Sequence, residues 1–176
     1  MNNSMKMITK RLYILLLLFF VIGGYIDENN ISFADNSKVS QQQQSEYFAS
    51  LKVSEANVRT GPGVKFPIKF IYVQPNLPVK VIGSYQSWTK TINETNQTGW
   101  IHNSLLHNAR FFVTVKDNIN LYRNPRDHSS IIVLLGDGIK GKLLSCRSKW
   151  CKVKVGGYYG WLKKEGIWGV FEDEEL

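Results

Sequence analysis

An internal repeat of about 60 residues constrains the fold of this chain more than any other feature of its sequence. Residues 143–153, LLSCRSKWCKV, align without a gap on residues 81–91, VIGSYQSWTKT, which places Trp150 over Trp88. Two further pairs of segments match in the same order, 57–62 with 120–125 and 99–101 with 160–162. A repeat of this length predicts two tandem copies of one small structural unit.

The second copy contains a segment with the alternation of a β-strand. In residues 150–155, Trp150 and the lysines point one way and the cysteine and valines point the other way. Gly156 and Gly157 then supply a tight turn, and the aromatic residues that follow favour a strand. Similar short segments, separated by glycine, proline or asparagine turns, recur about every 10 residues in both copies. The sequence therefore predicts an all-β protein.

The domain organisation follows from the repeat. We expect two small β-barrels, module one at 47–108 and module two at 109–171, joined only by residues 107–110 and packed side by side. Residues 35–46 are rich in glutamine and almost devoid of apolar side chains, which predicts a flexible linker. The segment 172–176, acidic from Glu172 to Glu175, predicts a disordered tail.

Residues 1–34 have the features of a signal peptide. A basic start precedes an uncharged apolar run at 12–22, and Ser32 and Ala34 are small residues of the kind that a signal peptidase reads. The alternative is a membrane anchor, but the run is shorter than the roughly 20 apolar residues that a spanning helix needs. We expect export with cleavage after Ala34, so the chain would meet the membrane only in transit.

The net charge of +8 suggests an anionic partner or simply a lysine-rich surface. The basic residues are spread along the chain rather than clustered, and export argues against nucleic acid as a partner. A solvated lysine-rich surface is the favoured explanation, and acidic polymers of the cell envelope stay open as partners.

Two cysteines, Cys146 and Cys151, lie on the two arms of one predicted hairpin and face inward by alternation. Directly opposed residues in such a pair have Cα atoms about 4.5 Å apart, which is within disulfide range. In an oxidising compartment we expect a disulfide. A zinc site would need two more ligands and a catalytic thiol would need a nearby base. Module one has Ser84 and Thr89 at these positions.

The order of motifs in module one resembles the bacterial SH3-like domain. NVRTGPG is followed by a hydrophobic strand, then by VKVIGSYQSWTKT and GWIHNSLL, and the resemblance covers about residues 47–170. It implies small β-barrels of exported and cell-wall-associated proteins, which usually bind peptidoglycan or proteins and are not catalytic. Module two departs from the pattern, because its turn is Asn124-Pro125-Arg126 in place of Gly61-Pro62-Gly63.

The tryptophans divide into two predicted groups. The resemblance implies that Trp100 and Trp161, each after a glycine, are structural core residues. Alternation instead places Trp150 with the lysines on the solvated face, where an aromatic ring either stacks on a ligand or packs on the neighbouring module. The candidate ligand-binding residues are Arg59, Gly61, Pro62, Tyr72, Trp88 and Trp150.

Catalysis is not expected. The three histidines, His102, His107 and His128, stand in no recognisable motif with a nucleophile, and no length remains for a separate catalytic domain. We expect no metal and no cofactor. The favoured function is an exported protein, in the periplasm or cell envelope or secreted, that recognises peptidoglycan. The alternative is a module that docks an envelope or host protein.

Overall fold

A computed structural model describes residues 45–176, and in this range module one consists of seven β-strands. The predicted signal peptide and all but the end of the predicted linker lie outside the described residues. A single turn of 3-10 helix at Asn103–Leu105 precedes the last strand of module one. The strands are β1 (Tyr47–Leu51), β2 (Ala56–Arg59), β3 (Ile68–Tyr72), β4 (Pro78–Tyr85), β5 (Trp88–Ile92), β6 (Thr98–His102) and β7 (Leu106–His107).

Module two repeats this arrangement. Its 3-10 turn lies at Lys164–Gly166, again just before the last strand. The strands are β8 (Phe111–Thr114), β9 (Ile119–Tyr122), β10 (Ile131–Leu135), β11 (Lys140–Arg147), β12 (Trp150–Val155), β13 (Tyr158–Lys163) and β14 (Ile167–Trp168). The strand orders, β3-β2-β6-β5-β4-β1-β7 and β10-β9-β13-β12-β11-β8-β14, are the same order twice. The predicted all-β fold with a tandem repeat is confirmed.

From Cys151 to Val155, β12 alternates between buried and exposed residues, as the sequence predicted. Cys151, Val153 and Val155 are buried, whereas Lys152 and Lys154 are exposed. The turn between β12 and β13 has φ of +53° at Gly156 and +89° at Gly157, a left-handed conformation that glycine adopts without a steric penalty.

Each module has its own hydrophobic core. In module one the core comprises Leu51, Ala56, Val58, Tyr72, Leu77, Val79 and Ile101. In module two it includes Phe112, Leu121, Leu135, Leu143, Val153, Leu162 and the disulfide between Cys146 and Cys151. The two cysteines are directly paired across the hairpin with Cα atoms 4.1 Å apart, so the structure contains the expected disulfide.

The two modules contact each other through aromatic side chains. The ring of Phe48 in β1 lies 5.2 Å from that of Trp168 and 4.8 Å from that of Phe171. The guanidinium of Arg110, in the short link between the modules, lies 5.7 Å from the Phe48 ring. The modules therefore pack side by side, as the short link predicted.

The acidic tail is ordered, so the prediction of a disordered end is wrong. The Glu174 carboxylate accepts hydrogen bonds from both terminal nitrogens of Arg110 and from the backbone of Phe171. The backbone of Leu176 exchanges hydrogen bonds of 3.0 and 3.1 Å with that of Cys146. The composition of the tail is that of a solvated end, but these specific partners fix it in place.

Candidate functional site

Five side chains share the outer surface of strands β2, β5 and β6 in module one. Directly opposed residues of antiparallel strands point to the same face of a sheet. Trp88 is opposite His102, Lys90 is opposite Trp100, and Arg59 is opposite Trp100 on the other side. We call this set the Trp88 face; it consists of Arg59, Trp88, Lys90, Trp100 and His102.

Trp100 is on this face because the preceding glycine takes the inward position. A Cβ at Gly99 would lie 2.3 Å from Cγ1 of Val58, so no larger residue fits there without movement of the core. Ile101 then points inward and is fully buried, while Trp100 between them is half-buried and points outward. The prediction that Trp100 is a core residue is therefore wrong.

The same correction applies to Trp161 in module two. A Cβ at Gly160 would lie 2.7 Å from Cγ of Leu121, and Leu162 is the buried residue of this strand. Trp161 is half-buried and lies opposite Tyr122 and Lys152 on the outer face. In both modules the glycine, and not the tryptophan, faces the core.

Trp88 lies on the outer face, as the repeat and the alternation predicted. It is half-buried, and its ring packs edge to face on that of His102, with centroids 5.4 Å apart. The His102 ring is held in turn by the Ser104 hydroxyl, 2.7 Å from Nδ1. The two rings therefore form a fixed aromatic pair at one end of the Trp88 face.

Trp150 was predicted to be solvated, and it is buried. It points outward with Lys152, but the Tyr122 ring packs on it with centroids 5.4 Å apart. Nζ of Lys163 lies 5.7 Å from its ring centroid, so the ring is covered by an aromatic side chain and a cation. Alternation gave the correct side of the sheet, but it contains no information about the neighbours that cover the ring.

Arg59 and Gly61 shape the loop beside the Trp88 face. One Nη atom of Arg59 donates to the carbonyl oxygens of Val64 and Phe66, at 3.1 and 2.8 Å. Gly61 does not need a positive φ; instead, a Cβ there would lie 2.5 Å from the Phe66 ring. Pro62 is half-exposed at the tip of this loop. Arg59 thus orders the loop and contributes its positive charge to the face.

Tyr72 was predicted to bind a ligand, and the structure places it in the core. Only 8% of its surface is exposed, and its ring packs on that of Phe70 with centroids 5.2 Å apart. Burial, together with the negative charge of Glu94, raises the pKa of Tyr72 well above its usual range. The neutral Tyr72 side chain belongs to the hydrophobic core of module one and is not part of the Trp88 face.

The outer face of module two has a different charge arrangement. The Asp127 carboxylate pairs with Lys149 at 3.0 Å and with Lys163 at 2.6 Å. The hydrogen bond from Lys163, followed by the one from Lys149, lowers the pKa of Asp127 to about 2. In the repeat, Val64 stands at the position of Asp127, so module one has no carboxylate there. Within the part of the chain that the structure describes, Lys90 has no ion-pair partner.

Sequence reasoning missed His102 and Lys90 as members of the site. Both lie two residues from a tryptophan of the same strand, and residues at this spacing share one face. The signal was therefore present, but it depended on recognising that Gly99 faces inward.

Two features are not found within residues 45–176. No helix in this range is long and apolar enough to cross a membrane. The same range contains no group of three or more histidine, cysteine, aspartate or glutamate side chains arranged to hold a metal ion.

Comparison with known proteins identifies the family. The bacterial SH3 domain matches residues 52–108 and again residues 115–169, which together are more than half of the chain. The chain therefore belongs to the bacterial SH3 domain family, and it carries this domain twice. No protein with curated information matches it significantly.

Several solved structures also resemble the chain. NlpC2 and NlpC1 from Trichomonas vaginalis are each 14% identical to it, with TM-scores of 0.33, and the aligned parts cover 71% and 70% of this chain and 48% and 46% of theirs. An NlpC/P60 family protein from Bacillus cereus is 18% identical, with a TM-score of 0.32, over 69% of this chain and 55% of that protein. The chain thus spans about half the length of the structures that it matches.

Proposed function

We propose that this chain is an exported, non-catalytic binding protein that recognises cell-wall peptidoglycan through the Trp88 face of module one. The observation that carries the proposal is the placement of Trp88 and Trp100 on one outer face, flanked by the cations Arg59 and Lys90. The sequence contains no recognisable catalytic motif, and bacterial SH3 domains usually bind ligands rather than catalyse reactions.

The chemistry of the face suits a glycan that carries short peptides. Half-buried indole rings offer flat apolar surfaces on which sugar rings stack, and their fixed position reduces the entropy lost on binding. The carboxylates of the peptides and of the sugar substituents are matched by Arg59 and Lys90. The full sequence has a net charge of +8, and the chain that begins at Asp35 keeps 19 Lys+Arg against 12 Asp+Glu, a net charge of +7, which adds a general attraction to an anionic polymer.

Module one suits this role better than module two. The equivalent ring in module two, Trp150, is covered by Tyr122 and Lys163, and Asp127 neutralises two of the nearby lysines. We therefore assign binding to module one and a supporting role to module two.

Export is part of the proposal. The disulfide between Cys146 and Cys151 belongs to an oxidising compartment, and the predicted signal peptide would deliver the chain to the periplasm or cell envelope. Intact-mass analysis of protein from the envelope fraction checks this, since the proposal requires an N-terminus at Asp35.

A pull-down on purified sacculi tests the function. Wild-type protein should sediment with the sacculi, and Trp88→Ala or Trp100→Ala should weaken retention at least about tenfold, as the loss of a central aromatic anchor does. Trp161→Ala is the matched control, because it removes the equivalent indole from module two. Equal retention of all variants, or equal loss in the control, would contradict the assignment to the Trp88 face.

A protein partner is the second candidate, and one observation favours it. The edge strands β3 and β10 expose apolar side chains that a second protein could cover, namely Ile68, Ile71, Ile131 and Leu134. If the partner is an envelope or host protein, this chain would be retained on sacculi only through proteins attached to them. Protease-treated sacculi therefore separate the two candidates, since they keep a glycan ligand and lose a protein one.

A further inference from the structure

The outer surface of β11, β12 and β13 in module two concentrates positive charge. The registers of these strands place their outward-pointing side chains in three directly opposed rows. The rows are Lys142, Lys154 and Tyr159; Ser145, Lys152 and Trp161; and Arg147, Trp150 and Lys163. They contain five cations and no carboxylate. We call these cations the cationic face; it consists of Lys142, Arg147, Lys152, Lys154 and Lys163.

Most of these charges have no partner of the opposite sign. Lys163, at the end of the third row, is paired with Asp127 at 2.6 Å. Within the described part of the chain, the other four cations form no ion pair. Lys142, Lys152 and Lys154 are exposed, and Lys142 is directly opposed to Lys154. Like charges in directly opposed positions destabilise a sheet, so the stability of the barrel does not account for these lysines.

The same positions in module one carry much less charge. The rows of β4, β5 and β6 are Lys80, Ile92 and Thr98; Gly83, Lys90 and Trp100; and Tyr85, Trp88 and His102. Lys80 is paired with Glu46 at 2.9 Å. Module one therefore has an isoleucine and a tyrosine where module two has Lys154 and Arg147. Because the same barrel forms with these uncharged residues, the fold does not require the cations.

The spacing of the cations suits an extended ligand. Lys152 and Lys154 are two residues apart in β12, which separates their Cα atoms by about 7 Å along the strand. Charges repeated at this distance match charged groups repeated along a polymer better than they match one small anion. Four of the five cations are lysines, whose compact ammonium groups bind phosphate as point charges, whereas arginine has the planar geometry that recognises carboxylates. The composition of the face therefore favours phosphate.

Two of the aromatic rings in these rows lie beneath cations. Nζ of Lys154 is 5.3 Å from the centroid of the Tyr159 ring, and Nζ of Lys163 is 5.7 Å from that of Trp150. The third ring, Trp161, is half-buried. The charges thus lie outside the rings. This arrangement favours surface contact with a polyanion over insertion of the rings into a bilayer or stacking of the rings on nucleic-acid bases.

We propose that the cationic face of module two binds a linear polymer that carries a phosphate group on each repeat and no aromatic base. The Trp88 face belongs to module one, so this inference does not depend on the proposed recognition of peptidoglycan. It gives module two a binding role of its own, and it assigns chemically different ligands to the two copies of the domain.

Isothermal titration calorimetry of the chain with long-chain inorganic polyphosphate tests the proposal. A triple variant, Lys142→Gln with Lys152→Gln and Lys154→Gln, should bind at least about tenfold more weakly than the wild-type protein. Binding of a polyanion by lysines also weakens with salt, because each contact releases counterions. In a plot of log affinity against log salt concentration the triple variant should therefore have a slope shallower by about two, as for three contacts to single-stranded nucleic acid.

Matched variants control for folding and for net charge. Replacing Lys142, Lys152 and Lys154 by arginine keeps the charge and should keep the binding. Lys52→Gln with Lys65→Gln and Lys116→Gln removes three exposed lysines outside the cationic face, and it should keep the affinity and the salt slope of the wild-type protein.

Thermal melting checks the fold of the glutamine variant. Its melting temperature should not fall, because the variant relieves the repulsion between Lys142 and Lys154. Trp88→Ala should leave the polyphosphate titration unchanged, so failure of the cationic face and failure of the Trp88 face are distinguishable.

Three results would overturn the inference. The first is that the glutamine variant binds polyphosphate as the wild-type protein does, or that the charge control loses as much affinity. The second is that polyglutamate of the same length binds as tightly, since the face would then not select phosphate. The third is that inorganic phosphate, phosphatidylglycerol vesicles or oligothymidylate bind more tightly than polyphosphate at equal phosphate concentration. That result would assign the face to a small anion, a membrane or a nucleic acid instead.

Discussion

Phe48 of module one and Trp168 of module two meet edge to face, with ring centroids 5.2 Å apart and planes at 88°. Phe48 is 6% exposed although it belongs to the first strand of the chain's first module, because module two covers it. Edge-to-face aromatic pairs of this kind add about 0.5–1.5 kcal/mol beyond the area that they bury. The two modules are thus coupled through a side chain that neither core contains.

Phe48→Ala should uncouple the unfolding of the two modules. Removal of a buried phenylalanine costs about 3–5 kcal/mol, and here part of that cost falls on the contact with Trp168 and Phe171. Calorimetry should show one transition in the wild-type protein and two in the variant. Tyr85→Ala, which removes an exposed ring of module one, should leave a single transition. An unchanged transition in Phe48→Ala would mean that the interface contributes no stability.

Gly99→Ala should destabilise module one by about 1–3 kcal/mol, the usual cost of overpacking a core. The added methyl group would lie 2.3 Å from the side chain of Val58. Gly83→Ala is the matched control, because its nearest new neighbour is 3.9 Å away. Denaturant unfolding should separate the two variants clearly. Equal stability of the two would show that the close approach of β6 to β2 relaxes freely.

Replacing both Cys146 and Cys151 by alanine should lower the stability of module two by about 2 kcal/mol, since the closed loop is short. Module one has no cysteine and should keep its own stability. Urea unfolding followed by module-specific NMR signals measures both effects. Non-reducing peptide mapping that found two free thiols in the isolated protein would contradict the disulfide.

The tail should detach at acid pH. Burial alone would raise the pKa of the Glu174 carboxyl, but hydrogen bonds from Arg110 and from the Phe171 N–H hold it below its usual value. A lowered pKa in the folded state contributes stability above the unfolded pKa of about 4.3, and this contribution disappears as the pH falls through the folded pKa. Stability measured between neutral pH and pH 3 should therefore decline below about pH 4.

Glu174→Gln isolates this effect. The variant should be less stable than the wild-type protein at neutral pH, and the difference should vanish in acid, because the wild-type carboxylate is then protonated. Glu175→Gln, a change at the exposed neighbouring residue, is the control. If both variants follow the wild-type curve, the pair between Arg110 and Glu174 does not hold the tail.

The fold could be predicted from the sequence, because the repeat, the alternation in β12 and the glycine turns are local signals. The orientation of Trp100 could not, since it depends on contact between Gly99 and Val58, which are far apart in the chain. The cover over Trp150 likewise depends on the register of β13 against β9 and β12, which brings Tyr122 and Lys163 to one ring. Side-chain packing of this kind is not encoded in periodicity.

The cover over Trp150 also shows how few residues separate a covered outer face from an accessible one. Tyr122 and Lys163 stand where module one has Arg59 and His102, and all four side chains point away from the cores. Positions of this kind change without repacking the interior, so substitutions there cost less stability than substitutions in the core. Two substitutions, Arg59→Tyr and His102→Lys, would supply module one with the side chains that close the outer face of module two. A duplicated module can therefore gain or lose an accessible aromatic surface through two amino-acid substitutions, while the barrel beneath it stays the same.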